Sequence, residues 1–195
     1  MGIENTQLLL DLVRYRWSIP VLALLAQGTT GVAGKHGGGA KFVTLMQRAS
    51  VSPGSLRRTL DALIEQGWVR RNPGYGHPMR PEYVLTPRGM NLARAAEGVM
   101  SVLLEMDVSK AALRKWSLPV TLTLGASKAH FGEIQDNLPG ITPRALALTL
   151  KELETAGLVK RKVIDAYPPR PCYELSTSGQ VLGSRARQLE SALAA

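Results

Sequence analysis

Two stretches of this chain carry one pattern. Residues 52–89, SPGSLRRTLDALIEQGWVRRNPGYGHPMRPEYVLTPRG, return at 142–179 as TPRALALTLKELETAGLVKRKVIDAYPPRPCYELSTSG. Pro53 and Pro143, Gly67 and Gly157, and Tyr83 and Tyr173 each lie 90 residues apart. An internal repeat decides architecture before any local propensity does. The 195 residues therefore read as two small modules, residues 1–107 and 108–195, and not as one large domain. A module that short buries a modest core, so the two are expected to share an interface. No long flexible linker separates them, which predicts a rather rigid join.

Within each copy the pattern predicts a capped helix and a two-stranded ribbon. Ser52 and Thr142 are N-cap residues, with Pro53 and Pro143 at the first helical position, where a missing N–H costs little. Leu56, Leu60, Leu63 and Ile64 fall on one face, as do Leu146, Leu150 and Leu153. Gly67 and Gly157 follow as left-handed terminators. Strands are expected at 68–71 and 158–163, then Pro-rich tips, return strands EYVLT and CYELS, and closing helices near 87–107 and 177–193.

Upstream, RWSIPVLALLAQG and KWSLPVTLTLGAS are near twins. Ser18 and Ser117 read as N-caps, with Pro20 and Pro119 in the first turn, and the helices that follow are apolar almost all round, hence buried. Short helices are expected near 5–16, 40–49 and 129–137, and DVSKAALRK takes the place of the first helix in the second copy. The first copy alone inserts TTGVAGKHGGG, residues 29–39. Lys35 there follows Gly34 but lacks the Ser or Thr and the upstream Gly of a phosphate-binding loop, so a flexible surface loop is the better reading.

Helix, short helix, turn, helix and two-stranded ribbon make a winged helix-turn-helix. The fold class expected is thus mainly α with small β wings (α+β), as two tandem winged helix-turn-helix domains in a pseudo-twofold arrangement. In such a unit the second helix of the pair buries one face and offers the other to the major groove. The formal net charge of +9, with the larger share of the excess in the first half, makes nucleic acid a natural partner. Candidate DNA-contacting residues on the first reading helix are Ser52, Ser55, Arg57 and Arg58, with Ala62 on the same outward face; on the second they are Thr142, Arg144 and Lys151, beside Ala145 and Leu148. The wings offer Arg70, Arg71, His77 and Arg80 in one copy, and Lys160, Arg161, Lys162, Tyr167 and Arg170 in the other. Wing cations near the sugar-phosphate backbone add affinity more than specificity. A basic face is also often a solvated face. What favours DNA is that both copies place positive charge on the same two elements. Arg80 and Arg170, flanked by prolines, have a second reading in which they hold the wing by bonding a carbonyl.

Other chemistry finds little support. No carboxylate pair, nucleophile with base, or cofactor loop stands out, so no enzyme and no cofactor is expected. His36, His77 and His130 do not cluster, and with one cysteine a metal site is not expected. His130 and Cys172 read as packed residues. A single cysteine rules out an intrachain disulfide and suits a reducing cytoplasm. The N-terminus MGIENTQLLLDL makes a poor signal peptide, and no apolar stretch approaches the roughly 20 residues that span a bilayer, so no membrane partner is expected. A cytoplasmic, nucleoid-associated location follows.

Three stretches carry a family resemblance: KWSLPVTLTL; HFGEIQDNLPGITPRALALTLKELETAGLVKR; and YPPRPCYELSTSG. Together they resemble the HxlR-type branch of winged-helix transcription regulators, close to the MarR type. The first copy keeps RWSIP, SPGSLRRTLDALIEQGWVRR and HPMRPEYVLTPRG but loses part of the middle. The resemblance implies a regulator of transcription that binds double-stranded DNA. Family members usually carry one module per chain and pair through terminal helices, so this chain resembles a fused dimer. Some relatives sense oxidants through a cysteine near the start of the module; Cys172 lies on a return strand instead, so the resemblance does not carry thiol sensing over. A second class stays open: a protein-interaction scaffold like the kleisin-binding subunit of bacterial condensin. A small-molecule effector between the modules near Trp17 and Trp116, and further association of two chains as a homodimer, also stay open.

Overall fold

The computed structural model describes residues 3–28, 39–72, 81–164 and 170–194. The first half runs α1 (Ile3–Val13), α2 (Ser18–Ala26), β1 (Ala40–Lys41), α3 (Phe42–Ala49), α4 (Pro53–Glu65), β2 (Val69–Asn72), β3 (Glu82–Leu85) and α5 (Pro87–Glu105). The same order then recurs as α6 (Ser109–Ala112), α7 (Ser117–Leu124), β4 (Ala129–His130), α8 (Phe131–Asp136), α9 (Pro143–Thr155), β5 (Val159–Ile164), β6 (Arg170–Leu175) and α10 (Thr177–Leu193). The chain is mixed, mainly helical, with two small antiparallel sheets ordered β1-β3-β2 and β4-β6-β5. Their registers correspond: Val69 faces Leu85 as Val159 faces Leu175, and Ala40 faces Tyr83 as Ala129 faces Tyr173.

β1 and β4 were not expected from the sequence, which gave those residues to the following helices. Two residues are too short for an alternation to register. Each is held by the return strand, and the next helix starts at once from its last residue.

The ends of α4 and α9 follow the sequence reading closely. Ser52 Oγ accepts from the N–H of Ser55 at 3.4 Å and Thr142 Oγ1 from that of Ala145 at 3.2 Å. At the other end Gly67 (φ 74°) and Gly157 (φ 72°) adopt the left-handed conformation. Trp68 N–H then reaches back to Leu63 O and Gly67 N–H to Ile64 O, while Leu158 and Gly157 do the same to Leu153 and Glu154. This is the double closure that satisfies the last helical carbonyls and turns the chain directly into a strand.

The expected caps of α2 and α7 are not what forms. Trp17 and Trp116 occupy the N-cap positions, with no side-chain hydrogen bond, and Ser18 and Ser117 are buried inside the first turn. The Ser117 hydroxyl donates to Ala111 O at 2.7 Å, and Ser117 N–H donates to Arg114 O. The short α6 ends one turn earlier, so the serine acts as a donor to that element and not as an acceptor for its own helix.

α5 packs against α2 and α10, and α10 in turn against α7 and α1. Leu92, Ala93, Ala96, Val99 and Leu103 of α5, with Leu182, Ala186 and Leu189 of α10, are all fully buried. One apolar cluster therefore runs through both halves. Each leucine so buried is worth about 1.5–3 kcal/mol, so parting the halves would expose a costly face. No helix among the described residues is long and apolar enough to cross a membrane.

Candidate nucleic-acid interface

Helices α4 and α9 each bury one leucine stripe. Leu56, Thr59, Leu60 and Leu63 point inward, as do Leu146, Thr149, Leu150 and Leu153. Thr59 and Thr149 bond back to Ser55 O and Ala145 O at 2.9 and 2.8 Å, so each buried hydroxyl is satisfied within its own helix. The outward face of α4 carries Arg57 and Arg58, exposed, followed by Asp61 and Glu65. That of α9 carries exposed Arg144, Ala147, Leu148 and Lys151. Leu148, 51% exposed, stands where α4 has Arg58. None of Arg57, Arg58, Arg144 and Lys151 is ion-paired among the described residues.

Some residues expected on the outward faces are partly buried. Ser55 is half-buried and its hydroxyl accepts from Ser52 Oγ at 3.0 Å, so both serines serve the start of the helix. Ala145 is half-buried against the core. Ala62 lies in a crevice with Asp11, Tyr15 and Glu65, and not on the outward face. In the second half the corresponding place holds an ion pair, Arg114 to Glu152 at 3.0 Å.

The wings differ in the same way. Arg70 and Arg71 are exposed on successive positions of β2, opposite Val84 and Tyr83. Arg161 is exposed on β5 opposite Tyr173, and Arg170 is exposed at the start of β6. Lys162 reaches across the sheet to Glu174 at 2.6 Å. That hydrogen bond, with the charges of Lys162, Lys160 and Lys128, holds the Glu174 carboxyl below its usual range. Lys160 faces Glu174 and lines a crevice to which α9 contributes no residue. His77, Arg80 and Tyr167, together with Lys35 and His36, lie outside the described residues.

Cys172 is buried and free, in register with Lys162 on one side and His130 on the other. His130 is half-buried; its Nδ1 is 3.0 Å from Pro171 O, and its backbone N–H donates to Glu133 Oε2 at 2.6 Å. Both are packed as expected. Trp17 and Trp116 are half-buried, under Arg16 and Lys115 at 5.6 and 4.7 Å from the ring centroids. The narrow gap where α1 meets α6 and α7 is lined by Tyr15, Ile19, Leu113 and Leu118, without either tryptophan.

A joint that sequence reading passed over ties each wing to its closing helix. Thr86 Oγ1 donates to Gly67 O at 2.7 Å and accepts from Gly89 N–H at 3.0 Å. Ser176 Oγ repeats both bonds, to Gly157 O at 2.6 Å and from Gly179 N–H at 3.0 Å. The signal was present as a Thr or Ser three residues before a repeated glycine.

Residues 113–192 match the family described as HxlR-like helix-turn-helix. Over 66 residues the chain is 44% identical to an HTH-type transcriptional regulator of Methanothermobacter thermautotrophicus, covering 34% of this chain and 50% of that one. It is 38% identical over 66 residues to another such regulator from Synechocystis, covering 34% and 49%. The chain thus spans about half the length of these curated relatives. Among solved structures, a transcriptional regulator of the MarR family from Enterococcus faecalis is 32% identical, with a TM-score of 0.41, covering 46% of this chain and 79% of that one. By sequence, then, residues 113–192 are similar to the HxlR-like helix-turn-helix family, and the likeness runs to HTH-type transcriptional regulators.

Proposed function

We propose that this chain is a sequence-specific, double-stranded DNA-binding transcription regulator, working as a fused pair of winged-helix modules, residues 1–107 and 108–195, in a pseudo-twofold arrangement. The observation that carries this reading is the outward face of α4 and α9. In both halves the same capped helix, beside the same strand pair, points cations at solvent with no ion-pair partner among the described residues. Arg donates two bonds to guanine or contacts phosphate, and Lys contacts phosphate. Arg70, Arg71, Arg161 and Arg170 add phosphate contacts from the wings, and Ser52 and Thr142 hold the reading helices at their starts. Two readers so related contact major grooves about one turn apart, roughly 34 Å, on an imperfect inverted repeat.

The two grips are unequal. Arg57 and Arg58 give way to Ala147 and Leu148, while Gly54 and Asp61 give way to Arg144 and Lys151, so the two cations stand side by side on the first helix and well apart along the second. An exposed Leu suits the methyl group of thymine, which makes the second half-site the more T-rich. Selection of bound sequences from a genomic library, followed by footprinting, tests the reading. Two protected patches one helical turn apart are expected. Protection without sequence preference, or none, rejects it.

One observation favours a protein-interaction scaffold instead: Leu148 and Val163 are 51% and 57% exposed. Capture of DNA fragments from a genomic digest in the presence of heparin separates the two, since only a sequence-specific reader keeps its fragments.

A further inference from the structure

An opening with a chemical character of its own lies away from α4 and α9. It is an open crevice of about 610 Å³, walled by the end of α7, the strands β5 and β6, and the start of α10. Lys128, Lys160 and Arg187 line it, with Glu174, Thr177 and Gln180. Glu174 is engaged by Lys162 at 2.6 Å. None of Lys128, Lys160 and Arg187 has an ion-pair partner within 4 Å among the described residues. Three exposed cations thus line one concave surface whose one carboxylate among the described residues, Glu174, is bonded to Lys162.

Arg187 is held in place. Its guanidinium donates to Gly125 O at 3.1 Å, across the end of α7. A Cβ on Gly125 would lie 2.7 Å from that guanidinium nitrogen, so the absence of a side chain there makes room for the arginine. One donor is spent on the anchor and the others remain for a ligand. The first half does not repeat this. At the corresponding places it has Glu97 for Arg187, Val84 for Glu174, Met90 for Gln180 and Pro87 for Thr177. The repeat preserved the fold in both halves and the cationic crevice in one.

We propose that this crevice binds a small oxyanion, a phosphate- or carboxylate-bearing molecule, with Arg187, Lys128 and Lys160 as its contacts. An anion there bridges α10, which packs on the first half, to β5 of the wing and to the residue before β4. It therefore couples the wing to the join between halves. That coupling rests on the DNA-binding reading above; the binding itself does not.

The test uses the full chain without DNA. Thermal unfolding is followed with inorganic phosphate, with succinate, and with chloride at matched ionic strength. Phosphate, succinate or both should raise Tm by several degrees above chloride, and Arg187→Gln and Lys128→Gln should each remove that increment. Lys128 makes no hydrogen bond among the described residues, so its variant keeps the test valid if loss of the Gly125 anchor disturbs folding. Arg94→Gln, an exposed change on α5, should leave the increment intact. No rise above chloride overturns the proposal, and so does a rise that survives both crevice variants. A third outcome also overturns it: Arg187→Gln weakening DNA binding as much as Arg58→Ala would make the crevice part of the DNA surface. Loss of DNA binding in the wild-type chain, with the anion increment intact, would reject the functional reading and leave the crevice standing.

Discussion

Gly89 lies directly beneath the carbonyl of Trp68, so close that a Cβ built on it would overlap that oxygen. Gly179 stands in the same relation to Leu158. Each pair is where a closing helix crosses the start of a wing strand, and each is clamped by a hydroxyl, from Thr86 or Ser176, that bonds both sides of the crossing. The wing cannot turn relative to α5 or α10 without breaking this joint.

Gly89→Ala and Gly179→Ala should each destabilise the chain, by roughly 2–3 kcal/mol, because backbone and not a movable side chain meets the new methyl. Gly54→Ala is the control, since a Cβ there meets nothing within 4 Å. It lies in the first turn of α4, and the change should be neutral or stabilising by up to about 1 kcal/mol. Urea unfolding of the three variants checks the order. Equal stability of Gly89→Ala and the parent would show that the crossing has room for a methyl group.

Thr86→Ala and Ser176→Ala each remove a helix cap together with the bond to Gly67 O or Gly157 O. A loss of about 1–2 kcal/mol is expected for either. Thr86→Ser and Ser176→Thr keep the hydroxyl and should restore most of it. Denaturant midpoints that fail to separate the Ala variants from the hydroxyl swaps would count against the joint.

The acid limb of the stability curve should report Glu174. The hydrogen bond from Lys162, chiefly, holds its folded pKa below the usual carboxylate range. A depressed carboxyl stabilises the fold above its unfolded pKa, and that contribution is lost as pH falls through the folded value. In Glu174→Gln the fall of Tm with acidification should be shallower than in the parent. A parallel fall in both would show that the ion pair is fully screened.

On DNA, Arg58→Ala should weaken binding more than Lys151→Ala, and should reduce the dependence of log K on log salt by about 1 if Arg58 meets a phosphate. Gel-shift titrations at several salt concentrations measure both. Equal losses, or a larger loss for Lys151, would contradict the unequal grips.

Much of the fold was legible because the repeat made each signal appear twice. Ser52 and Thr142, the prolines after them, and Gly67 and Gly157 mark the same helix by local chemistry that the structure uses as written. The signals that misled were those whose outcome depends on distant partners. Ser18 and Ser117 look like caps, yet the carbonyl of Ala111 recruits the Ser117 hydroxyl. β1 and β4 exist only because a return strand pairs with them. Among the site residues, Arg57, Arg58, Arg144 and Lys151 face outward as the leucine stripes require. Lys160 and Lys162 read in sequence as wing cations like Arg161, and their register opposite Glu174 and Cys172 could not be seen there because it is set by pairing across the sheet. The crevice around Arg187 was not legible at all: its walls come from three separate stretches.

The proposed function rests on one chain acting as a pair. The mass of the complex between the protein and a duplex carrying the selected site, measured by native mass spectrometry, tests that most directly. One chain on a duplex holding both half-sites is the expected result, with a duplex of one half-site binding far more weakly. Two chains on the same duplex, with one half-site sufficing for each, would contradict it.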